Sequence, residues 1–201
     1  DKQGADAVRW YFYTGSAPYL PTRFYDEAVS EAQRKFMGTL WNTYAFFVLY
    51  AEIDKYNPAE YDLKKCKLTL MDKWVLSKLN TLIKTVDDGL KDYKIFETAR
   101  TIQDFTDELS NWYVRRGRER YWGKDMTADK AAAYTTLYTV LVTLAKVCAP
   151  YVPFMTESMY RNLVTPFYKD TPESVHLCDF PEADESLIDP ELEKGMEDVL
   201  E

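Results

Sequence analysis

Histidine is almost missing from this chain of 201 residues, with His176 the one example, and cysteine is scarce, with three residues at 66, 148 and 178. One histidine and three scattered cysteines do not make a zinc site, which needs four ligands in close spacings. His176 and Cys178 sit two apart, but an alternating extended segment accounts for that spacing equally well. An odd number of distant cysteines argues against a disulfide framework and suits a reducing compartment. Glycine (7) and proline (9) are few, so no collagen-like or linker-like stretch is present. Glycine-rich phosphate loops and the nucleophile elbow are absent too. A Ser-His-acid arrangement would have to recruit His176 from an acidic segment. No apolar run reaches the ~18 residues of a membrane span, and no charged-then-apolar secretory signal opens the chain. It also lacks an initiator methionine, as expected of a processed form or an excised piece.

What remains is a composition able to fold. Apolar residues make up 46% and charged ones 29%, enough for one sizeable core and too apolar for a disordered chain. The net charge of -8 is unevenly placed: residues 170–201 hold twelve acids and one base, a net -11, while the other 24 bases and 21 acids give +3. The acidity therefore belongs to the tail, and the main body remains open to a polyanionic partner.

Hydrophobic periodicity divides the body into helices. The aromatic run Val8–Tyr13 reads as a strand or as the end of a helix, and Gly15 to Pro18 break it. A long helix is expected over about 25–54, with Phe36, Leu40, Thr43, Phe47 and Tyr50 at spacings of three and four. Met37, Trp41, Tyr44 and Val48 add a second stripe, so this helix is expected to sit centrally. Asn57-Pro58 stops it. A basic connector with Lys64, Lys65 and Lys67, read as a solvated patch, precedes a helix over about 70–92, with Thr69 as its N-cap and Asp72 in its first turn. Further helices are expected over about 96–122, 128–148 and 154–163. Ser174–Cys178 reads as extended, and a last helix is expected from Pro190 onward. The expected fold is all-α: an antiparallel bundle of four to five helices with an irregular acidic C-terminal tail.

Two constellations stand out. Asn111–Trp122, N-W-Y-V-R-R-G-R-E-R-Y-W, packs four arginines and four aromatics into twelve residues at a helix end. The arginine fork suits phosphate oxygens, and aromatic faces stack unpaired bases. At ~100° per residue Arg115, Arg118 and Trp122 share one face. Arg116 and Arg120 fall near the apolar stripe and are expected to be half-buried against Asp104, Asp107 or Glu157. Gly117 suggests a kink. A solvated helix end favoured by the helix dipole would show the same spacing. The second constellation joins Arg34-Lys35 to Leu40-Trp41-Asn42-Thr43-Tyr44. Asn42 lies in a helix that is apolar on most sides, so it is expected either to bond a neighbouring helix or to face a base edge or ribose.

These strings carry a family resemblance. N-W-Y-V-R-R-G-R-E-R-Y-W resembles the signature of the anticodon-binding domain of isoleucyl-tRNA synthetases. Gly4–Trp10 (G-A-D-A-V-R-W), Leu40–Tyr44 (L-W-N-T-Y), Asp72–Ser77 (D-K-W-V-L-S), Ala149–Glu157 (A-P-Y-V-P-F-M-T-E) and Ser174–Leu177 (S-V-H-L) with Phe180-Pro181 resemble further stretches of that family, in order. A-P-x-x-P-F-x-x-E is shared with valyl and leucyl relatives, whereas W-Y-V-R-R-x-R-x-R is the isoleucyl-type string.

The resemblance implies a class I enzyme that joins isoleucine to its tRNA with ATP and Mg. Its catalytic motifs are not in this chain, so no catalytic residue and no cofactor is expected here; zinc would belong to a region further C-terminal. The implied partners are the tRNA anticodon stem-loop and the catalytic domain of the same polypeptide, in a cytoplasmic monomer with no membrane. The implied contacts are Trp41, Asn42, Arg115, Arg116, Arg118, Arg120 and Trp122, joined by Arg34 on residue type. The implied organisation is a lead-in segment at 1–23, the helical domain at 24–169 and an acidic exit at 170–201. Two alternatives stay open: a structural spacer docking through Trp10, Tyr11, Phe12 and Tyr13, or the equivalent domain of a valyl- or leucyl-type relative.

Overall fold

A computed structural model describes residues 2–17 and 19–200, without the side chain of Leu200, and these residues form helices and turns with no strand. Pro18, part of the expected break, and Glu201, the last acid of the tail, lie outside the described residues.

The N-terminal aromatic run is a helix, α1 (Ala5–Thr14). Gly4 precedes it with a φ of 82°, a left-handed conformation that a side chain would strain. Trp10 is buried and lies flat on Phe36, with ring centroids 3.7 Å apart. Tyr11 is also buried and Tyr13 half-buried, so of the four aromatics considered for docking only Phe12 is exposed.

The helix expected over 25–54 is present as α2 (Asp26–Ala32), a π turn (Gln33–Gly38) and α3 (Thr39–Ile53) in unbroken succession. The wider π turn shifts the phase of the residues after it. Phe36, Leu40, Thr43, Tyr44 and Phe47 face inward, but Trp41, Leu49 and Ile53 are exposed, so α3 is central on one side only.

Thr69 caps α4 (Leu70–Lys91) in a reciprocal capping box: its hydroxyl accepts from the Asp72 amide at 3.2 Å, and Asp72 accepts from the Thr69 amide at 2.9 Å. A short turn leads back into α5 (Ile95–Glu108), and the two helices approach so closely that a Cβ on Gly89 would lie 2.3 Å from the Thr98 methyl. Thr127 caps α6 (Ala128–Cys148), which runs through the core. By length and composition α6 could cross a bilayer, yet 67% of its most apolar window is buried by the other helices. α7 (Pro153–Leu163) folds back after the Ala149–Val152 corner.

The tail is docked. Ser174–Cys178 is not extended throughout: Val175–Leu177 form a 3-10 turn, because the Ser174 hydroxyl accepts from the His176 amide. Glu157 fixes that turn by accepting from the Ser174 hydroxyl and the Val175 amide, both at 2.9 Å. The last helix, α8 (Pro190–Leu200), lies on α4, where Glu193 accepts from Ser77 and from Thr81. Lys84 pairs with Glu185 at 2.7 Å.

One fastening ties the start of the chain to the corner before α7. The Asp6 carboxylate accepts from the Met155 amide at 2.8 Å and the Phe154 amide at 3.4 Å, so α1 caps the N-terminus of α7. Arg9 donates to the carbonyls of Pro150 (2.7 Å) and Tyr151 (3.1 Å) at the same corner.

Candidate functional site

The basic, aromatic segment continues α5 without a break but not as a uniform helix. A π turn (Leu109–Val114) is followed by one α turn (Arg115–Gly117) and a 3-10 turn (Arg118–Tyr121). The change comes at Gly117, where a kink was expected. These two departures from 3.6 residues per turn re-aim the arginines.

Arg115, Arg116 and Arg118 are all exposed, and among the described residues none is in an ion pair. The Arg116 guanidinium lies 4.3 Å over the Trp112 ring, and that of Arg118 lies 6.0 Å over Phe46 of α3. Trp122 is 60% exposed. The segment thus presents three cations with free donor capacity beside open aromatic faces. Tyr113 and Tyr121, from the same string, are buried.

Two expectations about this segment need correction. Arg116 is not half-buried against an acid; the π turn carries it out to solvent. Arg120 is half-buried and ion-paired, but not with Asp104, Asp107 or Glu157. It makes a two-pronged pair with Asp72, at 2.7 and 2.9 Å, and bonds Asp129 at 2.9 and 3.0 Å. The 3-10 turn swings it toward the start of α4, where Asp72 is fully buried. Tyr113 donates to the same carboxylate at 2.6 Å. Burial pushes the Asp72 carboxyl up, but Arg120, Tyr113 and Thr69 outweigh it and hold it below the ordinary carboxylate value. Burial opposes the Arg120 charge as well, and Asp72 and Asp129 more than restore it. Both sides of the Arg120 fork are thus engaged by carboxylates.

A second buried pair sits nearby. Lys130, 2% exposed, meets Asp54 at 2.5 Å and donates to the Gly123 carbonyl at 2.5 Å. It pins the loop that follows Trp122 to the end of α3.

For Asn42 the structure removes one of the two alternatives. It is exposed, with no hydrogen-bond partner among the described residues, so it bonds no neighbouring helix. The helix around it is apolar on its outer side as well, which hides the orientation from the sequence. Asn42 lies one turn before Phe46, hence on the face of α3 next to Arg118. Trp41 is 43% exposed and tilts against Tyr44 at 5.0 Å.

Arg34 is separate from the arginine edge. Glu31 clasps it at 2.9 and 3.0 Å; their hydrogen bond raises the Arg34 pKa and lowers that of Glu31. Arg34 and Trp41 line an open groove of about 760 Å³ with Gln33, Phe154 and Ser158. The structure therefore makes α3 a shared wall, with Trp41 toward this groove and Phe46 under Arg118. Phe46 escaped the sequence reading, although its place four residues after Asn42 was a usable signal. Phe154, exposed at the groove, was hidden inside a proline-flanked string.

Among the described residues no three His, Cys, Asp or Glu side chains gather as a metal site. His176 instead approaches the Pro153 carbonyl at 3.2 Å, and Cys178 the Ser174 carbonyl at 3.7 Å.

Residues 72–201 match the sequence profile of a family described as the anticodon-binding domain of tRNA ligase. Over 195 residues the chain is 60% identical to the isoleucine–tRNA ligase of Clostridium novyi (strain NT), covering 97% of this chain and 19% of that protein. The isoleucine–tRNA ligase of Clostridium kluyveri is 56% identical over 198 residues, with 98% and 19% covered. That of Dehalococcoides mccartyi (strain CBDB1) is 49% identical over 200 residues, with 100% and 20% covered. The chain spans about a fifth of the length of these relatives. Among solved structures, a LeuRS of Agrobacterium radiobacter K84, crystallised as a ternary complex with tRNA and LeuAMS, superposes with a TM-score of 0.67. Identity there is 19%, over 94% of this chain and 20% of that one, a likeness of fold alone.

Proposed function

The chain belongs to the anticodon-binding domain family of tRNA ligases, and from that premise we propose that it grips the anticodon stem-loop of an isoleucine tRNA for an isoleucine–tRNA ligase. The observation that carries the reading is the exposed edge of three unpaired guanidiniums, Arg115, Arg116 and Arg118, set among Trp112, Phe46 and Trp122. Guanidiniums engage phosphates through two donors at once, and the released counterions make the affinity fall with salt. Trp122, Trp41 and Asn42 offer stacking faces and an amide to bases splayed from the loop. Arg120 contributes by holding the 3-10 turn against α4 rather than by touching RNA.

The aminoacylation chemistry belongs in this proposal to a catalytic domain outside the chain, which would use ATP with Mg. Zinc would belong to a region further C-terminal. The residues present here fit neither group, having no phosphate loop and no gathered ligands among those described. Residues 1–23 would lead in from the catalytic body, 24–169 form the binding domain and 170–201 lead onward, in a cytoplasmic monomer.

The test is a fluorescence titration of a stem-loop RNA at several salt concentrations. Arg118→Ala should weaken binding about tenfold and lower the slope of log affinity against log salt by about one. Unchanged affinity and slope would remove Arg118 from the site. A docking role has its own support: Phe12 and Phe24 stack at 5.6 Å and are both more than half exposed, an apolar face suited to a neighbouring domain. Absence of RNA binding by these residues, with tight binding by a longer polypeptide, would favour that second reading.

A further inference from the structure

Helix α3 closes with Lys55 at a φ of 53°, a left-handed conformation in which lysine is strained and glycine would be at ease. The Tyr56 amide donates to the Ala51 carbonyl at 2.8 Å and completes the turn. Lys55 is exposed and in no ion pair among the described residues. With the exposed Glu52 it lines a cavity of about 640 Å³ whose walls include Phe47, Tyr56, Tyr138 and Phe167. Tyr138 is held by its hydroxyl, which donates to the Leu163 carbonyl at 2.9 Å. Asn162 also lines the cavity. Its Nδ2 donates to the Tyr44 hydroxyl at 2.7 Å, and its Oδ1 has no partner among the described residues.

We propose that this cavity receives one unpaired RNA base. A base N–H would donate to Asn162 Oδ1, and the Lys55 ammonium would meet the adjoining phosphate. The inference rests on the reading of the chain as an RNA-binding domain and adds a second contact region to it. Three features favour a nucleotide over an apolar peptide. The half-buried Tyr138 and the exposed Phe167 offer aromatic surface, an amide is free to read an edge, and a cation is held in a strained conformation where glycine would be more stable. The cavity lies within the range of small-ligand sites, ~300–1,000 Å³. Asn42 and Lys55 are thirteen positions apart along α3 and its closing turn, about 20 Å at 1.5 Å per residue, so one helix would line both regions.

The test uses the complete polypeptide that carries these residues and a series of stem-loop RNAs in which each loop nucleotide in turn is abasic. One abasic position should cost about tenfold in affinity. That loss should vanish in Ala51→Leu, which fills the cavity. Lys55→Gly relieves the backbone strain, so its melting temperature should be equal or higher. Its affinity for the intact stem-loop should nevertheless fall about threefold or more, with a salt slope smaller by about one. If every abasic RNA loses as much affinity with Ala51→Leu as with the wild type, or if Lys55→Gly binds unchanged, the base pocket is overturned. Should Arg118→Ala weaken binding in the same series while both cavity variants bind like the wild type, this inference alone falls. Should the wild type show no binding of the stem-loop, the RNA-binding reading falls and this one with it.

Discussion

Replacing Arg120 with methionine separates the arginine that builds the domain from those proposed to bind RNA. Methionine keeps much of the side-chain length and removes the fork. Asp72 is then left fully buried, with the Tyr113 hydroxyl and Thr69 as its remaining partners. Removing one partner of a buried pair costs about 3–5 kcal/mol. Tyr113 and Thr69 still serve the carboxylate, and Asp129 is half exposed, so the lower end, about 3 kcal/mol, is expected at neutral pH. Against a total of about 5–15 kcal/mol the variant should still fold. The loss should depend on pH. In the wild type Asp72 is held below its unfolded value, so its contribution is fully present above about pH 4 and is lost as pH falls through the folded pKa. In the variant the buried carboxylate gains by taking up a proton, so the gap to wild type should narrow on acidification. Urea unfolding followed by circular dichroism at pH 7 and at about pH 4 measures both quantities. At temperatures where the variant is folded, the salt slope of stem-loop binding should equal that of the wild type. A stability loss under about 1 kcal/mol at pH 7, with no pH dependence, would refute the energetic argument. A slope reduced as in Arg118→Ala would show that Arg120 meets phosphate after all.

Other expectations concern the scaffold. Asp6→Ala should cost about 1–2 kcal/mol by uncapping α7, and hydrogen exchange at the Phe154 and Met155 amides should accelerate. Gly117 has a negative φ and nothing within 4 Å of an added Cβ, so Gly117→Ala should raise stability by about 0.4–1 kcal/mol in thermal unfolding. Gly89→Ala should do the opposite, since its Cβ would meet the Thr98 methyl at 2.3 Å. Burial raises the Glu157 carboxyl, but Ser174, Val175 and Arg161 hold it lower than usual, so its hold on the tail should be lost as pH falls below about 4, read as earlier proteolysis after Leu163.

Helices bounded by clear start or stop signals were legible in the sequence. The 70–91, 128–148 and 154–163 segments begin and end within a residue or so of expectation, and Thr69 announced its own cap. The π turn at Gln33–Gly38 was not legible, because the residues that follow it are apolar on so many sides that a shift of phase leaves no trace in the pattern. The same uniformity concealed Asn42. The partner of Arg120 was out of reach for another reason: Asp72 is 48 residues away, and no local spacing encodes that meeting. The family-like strings also mislead in a specific way. Many of their charged residues bind other strings: Asp6 and Arg9 hold the A-P-Y-V-P-F corner, Glu157 holds the S-V-H-L turn, and Asp72 holds Arg120. A string that identifies the family is therefore in large part assembly hardware, and the solvent-facing residues between the fasteners form the proposed contact surface.

The double anchorage of α1 has a mechanical corollary. Asp6 and Arg9 seize opposite sides of the α6–α7 corner within one helical turn of each other. A load entering through α1 would therefore be shared among four hydrogen bonds at that corner instead of turning about a single one.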